Sequence, residues 1–84
     1  MLTEENLINL GFEKVDGFLE GQTEPWYYYT MEIGDMYLTS SESDVTKEGE
    51  WKIYLYEFPD FVIDNMSNLN GFINIVRRIY KNKN

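Results

Sequence analysis

The sequence predicts an α+β fold, in which an antiparallel sheet of three to five strands carries an N-terminal and a C-terminal helix on one face. Two observations support this prediction. Gly34 and Asp35 separate two runs rich in aromatic and β-branched residues, which is typical of a two-residue β-hairpin. Apolar residues near the C-terminus follow helical spacing, which predicts a helix with one buried side. The 84 residues are expected to form a single domain, residues 1–84, with 82–84 as a frayed tail.

The opening residues predict a short helix. Thr3 is a favourable N-cap, Glu4 and Glu5 occupy the first turn, where the helix dipole favours acids, and Gly11 provides a left-handed stop. The inward-facing residues of this helix are expected to be Leu7, Ile8 and Leu10.

The middle of the chain predicts strands. Residues 12–15 are expected to form a short strand and residues 16–25 a loop. Residues 26–33 and 36–40 then form the hairpin, whose Gly-Asp connection fits a type II′ turn. The register predicted by this turn pairs Ile33 with Met36 and Met31 with Leu38.

Beyond an acidic loop at residues 41–49, residues 51–58 predict a third long strand. Pro59 and Asp60 are expected to turn or bulge the chain, because proline cannot donate to a sheet ladder. Residues 61–63 then form a continuation or a fourth strand.

The last helix is expected over residues 66–80, capped by Asn65 or Ser67. Its apolar stripe consists of Leu69, Phe72, Ile73, Val76 and Ile79. Gly71 weakens a helix, so close packing against the sheet is the expected reason for its presence.

Alternation along the strands divides the predicted sheet into two faces. The more aliphatic face is the one expected to lie under both helices, and it carries Met31, Ile33, Met36, Leu38, Ile53 and Leu55. The other face carries the candidate binding residues Trp26, Tyr28, Tyr37, Tyr54 and Tyr56. Exposed aromatic patches of this kind mark interfaces. Two alternatives remain open: a solvated face of half-buried tyrosines, or a face closed by a second copy in a homodimer.

Arg77 and Arg78 are a second candidate site, because arginine is the preferred side chain for bidentate phosphate binding. A nucleotide stacked on the aromatic residues and held by this pair is one interpretation. The alternative is structural, since bases near a helix C-terminus complement the helix dipole.

The residue inventory argues against catalysis. Histidine and cysteine are both absent, so the side chains that most often titrate near neutral pH or bind transition metals are missing. We therefore expect no enzyme activity, no cofactor and no metal site. The lack of cysteine and of a long apolar run favours a cytoplasmic protein without a membrane span.

Charge is divided along the chain. Residues 1–64 hold fifteen acids and three lysines, a net charge of −12, whereas residues 65–84 hold four bases and no acid, a net charge of +4. A body this negative predicts no direct binding of nucleic acid, which requires a basic footprint. It can instead attract a basic protein surface, or simply keep the protein in solution.

The opening segment LTEENLINLGFE, residues 2–13, resembles short phage and prophage accessory proteins of Bacteroidota. Those chains run a short helix into Leu-Gly-Phe-Glu, continue through aromatic strands and end in a Leu/Ile-rich helix, here residues 66–80. The resemblance implies a bacterial host cell and a counter-defence role, and it transfers no functional residue.

Four functions are then compared. The favoured one is an inhibitor or nucleic-acid mimic that binds a basic surface of a host immune protein. The alternative is a homo-oligomeric sponge that sequesters an immune nucleotide signal. A structural phage protein is a further alternative, and an enzyme using carboxylates and tyrosine is disfavoured.

Overall fold

The structure, a computed structural model, describes residues 1–17, 21 and 25–81. Five strands form one antiparallel sheet in sequence order, β1 to β5, with a helix at each end of the chain. The elements are α1 (Glu4–Leu10), β1 (Glu13–Gly17), β2 (Trp26–Ile33), β3 (Met36–Ser40), β4 (Ile53–Leu55), β5 (Phe58–Ile63) and α2 (Met66–Lys81). The predicted α+β class is therefore confirmed.

Helix α1 begins with a reciprocal cap. The Thr3 hydroxyl accepts from the Asn6 backbone at 3.1 Å, and the Asn6 side chain accepts from the Thr3 backbone at 3.0 Å. Gly11 ends the helix with φ of 100°, as expected. Leu7 is buried, but Ile8 is 57% exposed. The inward position predicted for Ile8 was wrong, because a helix that buries Leu7 turns the next residue by about 100°.

Strand β1 extends further than predicted. Asp16 and Gly17, expected in a loop, continue the strand because both pair with the start of β2. The loop prediction was therefore wrong at these two residues. Of the remaining predicted loop, only Gly21 and Pro25 lie within the described residues.

The β2–β3 hairpin has the predicted register, with Ile33 opposite Met36 and Met31 opposite Leu38. Gly34 has a positive φ of 58°. Within the described part of the chain, only glycines have positive φ. These signs at Gly34 and Asp35 are those of a type II′ turn.

The single strand predicted over residues 51–58 was wrong. Strand β4 ends at Leu55, the chain turns at residues 56–57, and β5 returns antiparallel to β4. Pro59 lies inside β5 rather than at the turn. A register shift between β4 and β5 accommodates it, and β5 is an edge strand, where proline is tolerated.

Helix α2 is capped by Asn65, whose side chain accepts from the Asn68 backbone at 2.8 Å. Its buried residues are Leu69, Ile73 and Val76. Ile79, predicted to be buried, is 53% exposed. Tyr80 packs against the turn between β2 and β3 instead: its ring lies so close to Gly34 that an added Cβ would sit 2.4 Å from it.

Gly71 does not pack against the sheet. It is exposed, and an added Cβ would meet nothing within 4 Å. The packing reason predicted for this glycine was therefore wrong, and nothing in the structure explains it.

Both helices pack on one side of the sheet, called here the covered face. Leu7 of α1 and Ile73 of α2 belong to one buried cluster with Met31, Leu38 and Ile53 of the strands. The opposite side is called the open face. The frayed tail predicted at residues 82–84 lies outside the described residues. No described helix is long and apolar enough to cross a membrane.

Candidate functional site

The open face is built by alternation in four adjacent strands. Tyr28 lies opposite Val15 of β1, and Glu32 lies opposite Tyr37 of β3. Directly opposed residues point to the same side of a sheet, so Trp26, Tyr28 and Tyr37 share the open face as predicted from the hairpin register.

Two ring pairs stand on this face. Trp26 and Tyr28 stack, with ring centroids 6.1 Å apart and planes 27° apart. Tyr37 and Tyr56 meet edge to face, with centroids 5.8 Å apart and planes 89° apart. The Trp26 ring can lie across β1 only because residue 17 is glycine: a Cβ at Gly17 would sit 2.2 Å from the ring.

Tyr56 reaches this face from a turn rather than from a strand. Its backbone N–H donates to the Tyr37 carbonyl at 3.0 Å, which holds the turn beside β3. The Tyr56 side chain is 70% exposed and that of Tyr37 is 41% exposed. These rings therefore present apolar surface that the described residues leave uncovered.

These rings enclose a depression of about 400 Å³, called here the aromatic depression. Its lining is Trp26, Tyr28, Tyr37, Thr39, Ser40, Glu42 and Tyr56. Among the described residues of this lining, the only charged group is the Glu42 carboxylate. The site is therefore apolar and aromatic with a single negative charge, which suits a cationic group rather than an anionic one.

Glu42 reaches the depression because the loop after β3 is bound to β2. The Ser43 backbone donates to the Tyr27 carbonyl at 2.8 Å, and the Tyr27 backbone donates to the Ser43 hydroxyl at 2.8 Å. Sequence reasoning missed Glu42, since periodicity does not predict how a loop contacts a strand. Its position two residues after the end of β3 is the only available signal.

Tyr54 lies apart from the other predicted aromatic residues. It faces the open side, opposite Thr39 and Val62. The depression that it lines also includes Lys52 and Asp64, and is separate from the aromatic depression. The structure therefore brings four of the five predicted aromatic residues together and leaves Tyr54 beside them.

Arg77 and Arg78 are both exposed on α2. Arg77 lines a third depression, together with Glu13, Glu32 and Tyr37. Two carboxylates in this lining oppose the binding of a phosphate. Neither arginine lines the aromatic depression, although Arg77 shares the third depression with Tyr37.

The covered face holds a tyrosine pair that sequence reasoning did not single out. The Glu4 carboxylate accepts hydrogen bonds from the Tyr27 and Tyr29 phenols, the latter at 3.4 Å. The hydrogen bond to Glu4, followed by burial and the Glu4 charge, raises the pKa of Tyr27 to about 12. Burial first, then the Glu4 charge, raises the pKa of Tyr29. This contact joins α1 to the sheet.

A second exposed apolar region lies between β5 and α2. Phe61 contacts Phe72 with ring centroids 5.6 Å apart, and Ile75 and Ile79 are more than half exposed. No cluster of three or more carboxylates that could hold a metal ion occurs within the described residues.

Comparisons of the chain with family models, with curated proteins and with solved structures found no match.

Proposed function

We propose that this is a non-enzymatic binding protein whose open face docks on a basic surface of another protein. The observation that carries this proposal is the aromatic depression, which combines four aromatic rings with one carboxylate. Tyrosine and tryptophan are the residues enriched at the energetic centres of protein interfaces, because they bury large area with little loss of side-chain freedom.

Charge supports a basic partner. The acids Glu13 and Glu32 flank the aromatic rings on the open face, and Glu42 lies inside the depression. The net charge of −12 over residues 1–64 adds a long-range field of the same sign. Such a field steers a basic surface toward the protein and raises the association rate at low salt.

The kind of partner follows from the resemblance of residues 2–13 to phage accessory proteins. In that context the partner is a host immune protein that carries a basic, nucleic-acid-binding surface, met in the cytoplasm of the bacterial host. Occupying that surface would block the immune protein, so the proposed role is counter-defence by inhibition.

The nucleotide sponge stays a prediction with less support. Stacking a nucleotide in the aromatic depression would bring an anion to a site whose lining includes the Glu42 carboxylate, while Arg77 lies in another depression with two carboxylates. In the homo-oligomeric sponge, a second copy of the chain would bring its arginines to the rings. A structural phage protein remains an alternative that no observation favours.

The test is capture of a partner by matched variants. Tyr37→Ser/Tyr56→Ser removes two rings of the depression, and Ile75→Ser/Ile79→Ser removes comparable exposed apolar surface from α2. We expect the wild type and the α2 variant to retain one host protein with a basic surface, and the ring variant to lose it. We also expect retention to fall as salt rises, because the attraction is electrostatic.

Two results would contradict the proposal. One is capture that the ring variant retains and the α2 variant loses. The other is a wild-type protein whose mass by light scattering is that of an oligomer and that returns to a monomer in the ring variant, which would make the open face a self-association surface.

A further inference from the structure

We propose that the aromatic depression receives one arginine side chain of the partner. This inference rests on the proposed function and names the group that the open face recognises. The depression offers aromatic rings, one carboxylate and the Thr39 side chain, and no base lies among the described residues of its lining. A guanidinium matches this set, because it stacks on aromatic faces and donates to a carboxylate through a planar pair of N–H groups.

The orientation of the rings favours a cation between them. Tyr37 and Tyr56 stand nearly perpendicular, at 89°, and both rings line the aromatic depression. Trp26 and Tyr28 form a second wall with nearly parallel planes. Ring faces carry the negative part of the aromatic quadrupole, which attracts a cation and repels a phosphate.

The same chain already makes this kind of contact on its covered face. The Lys14 ammonium lies 4.1 Å from the centroid of the Tyr27 ring. The cation that contacts the Tyr27 ring is therefore a residue of the same chain. Within the part of the chain that the structure describes, no base lines the aromatic depression, and an arginine of the partner would complete the same arrangement there.

Arginine is favoured over lysine for two reasons. The guanidinium is planar and weakly hydrated, so it loses less solvation when it lies against a ring. Its planar fork of donors also matches a carboxylate such as that of Glu42. A nucleic-acid-binding surface of the kind proposed for the partner is rich in this side chain.

The experiment titrates the protein with a capped Gly-Arg-Gly peptide and follows the shifts of backbone and indole N–H signals by NMR. The control ligand is the same peptide with citrulline, which keeps the shape and removes the charge. We expect saturable shifts at Tyr37, Glu42 and the Trp26 indole, with none at the buried Trp51 indole. We expect affinity for the citrulline peptide to be at least about tenfold lower.

Variants distinguish binding in the aromatic depression from attraction to the general negative charge of the protein. Tyr37→Leu and Tyr56→Leu should each weaken binding of the arginine peptide about two- to fivefold, the size of one cation–π contact. Glu42→Gln should weaken it by more than Glu5→Gln, which removes the same charge from an exposed position on α1. Equal effects of the two glutamine variants, or equal affinity for the two peptides, would overturn the arginine site.

Failure of this inference is distinguishable from failure of the proposed function. If the ring variant loses the host protein but the arginine peptide produces no saturable shifts, the open face is a docking surface and the arginine site is wrong. If the ring variant retains the host protein, the docking surface itself is wrong, and the arginine inference falls with it.

Discussion

Four consecutive aromatic residues in β2 play two different parts. Tyr27 and Tyr29 point to the covered face, where both phenols donate to Glu4 and both rings contact the buried Trp51. Trp26 and Tyr28 point to the open face, where they stack on each other and line the aromatic depression. Residue type alone does not separate a structural ring from a binding ring. The difference lies in the surroundings: Tyr27 and Tyr29 bond to Glu4 and contact the buried Trp51, whereas Trp26 and Tyr28 line a depression on the open face.

The largest expected effect on stability comes from a substitution on the covered face. Trp51→Ala should lower the free energy of unfolding by about 3–5 kcal/mol, because it removes a fully buried ring that contacts two tyrosines. Trp26→Ala should lower it by less, since the Trp26 ring is only half-buried. Urea unfolding of both variants measures the two losses, and equal losses would remove the distinction between the faces.

The next effect concerns the two glutamates that face aromatic residues. Glu4→Gln should lower the free energy of unfolding by about 1–2 kcal/mol, because it weakens an acceptor shared by two phenols. Glu42→Gln should change it by no more than about 0.5 kcal/mol, as is usual for a surface substitution. A larger loss of unfolding free energy from Glu42→Gln than from Glu4→Gln would show that Glu42, and not Glu4, stabilises the fold.

A pH titration sharpens the same comparison. The pKa of Tyr27, raised to about 12, lies above its ordinary value of about 10 in the unfolded chain. The contact with Glu4 therefore contributes its full stability below pH 10, and this contribution is lost as pH rises through 12. Phenolate absorbance should show a late-titrating tyrosine that moves toward pH 10 in Glu4→Gln. The absence of a late phenol in the wild type would contradict the Glu4 contact.

The smallest expected effect on stability is on the open face. Tyr37→Ser and Tyr56→Ser should each change the free energy of unfolding by no more than about 0.5 kcal/mol, because both side chains are largely exposed. Thermal unfolding of the two variants checks this. A loss of several kcal/mol would show that these rings hold the fold together rather than bind a partner.

Local signals in the sequence predicted much of the fold. The Gly34-Asp35 turn fixes the register of β2 and β3, because only certain φ values connect two strands in two residues. The Thr3 cap and the Gly11 stop likewise depend on neighbouring backbone groups. Alternation then places Trp26, Tyr28 and Tyr37 on one face, so most of the candidate site follows from the hairpin.

Features decided by distant contacts could not be predicted. Residues 56–57 carry no glycine, proline or asparagine to indicate a turn, and Pro59 belongs to β5 because that strand lies at the edge of the sheet. The packing of Tyr80 against the core in place of Ile79 depends on a glycine 46 positions earlier in the chain. Glu42 reaches the aromatic depression only through the hydrogen bonds between Ser43 and Tyr27.

The most direct test of the open face as a docking surface is photo-crosslinking in the host cell, with p-benzoylphenylalanine placed at position 37 or, as a control, at position 75. The proposed function predicts that position 37 crosslinks to one host protein with a basic surface and that position 75 does not. Crosslinking of position 37 only to a second copy of the chain, or of position 75 alone to a host protein, would contradict it.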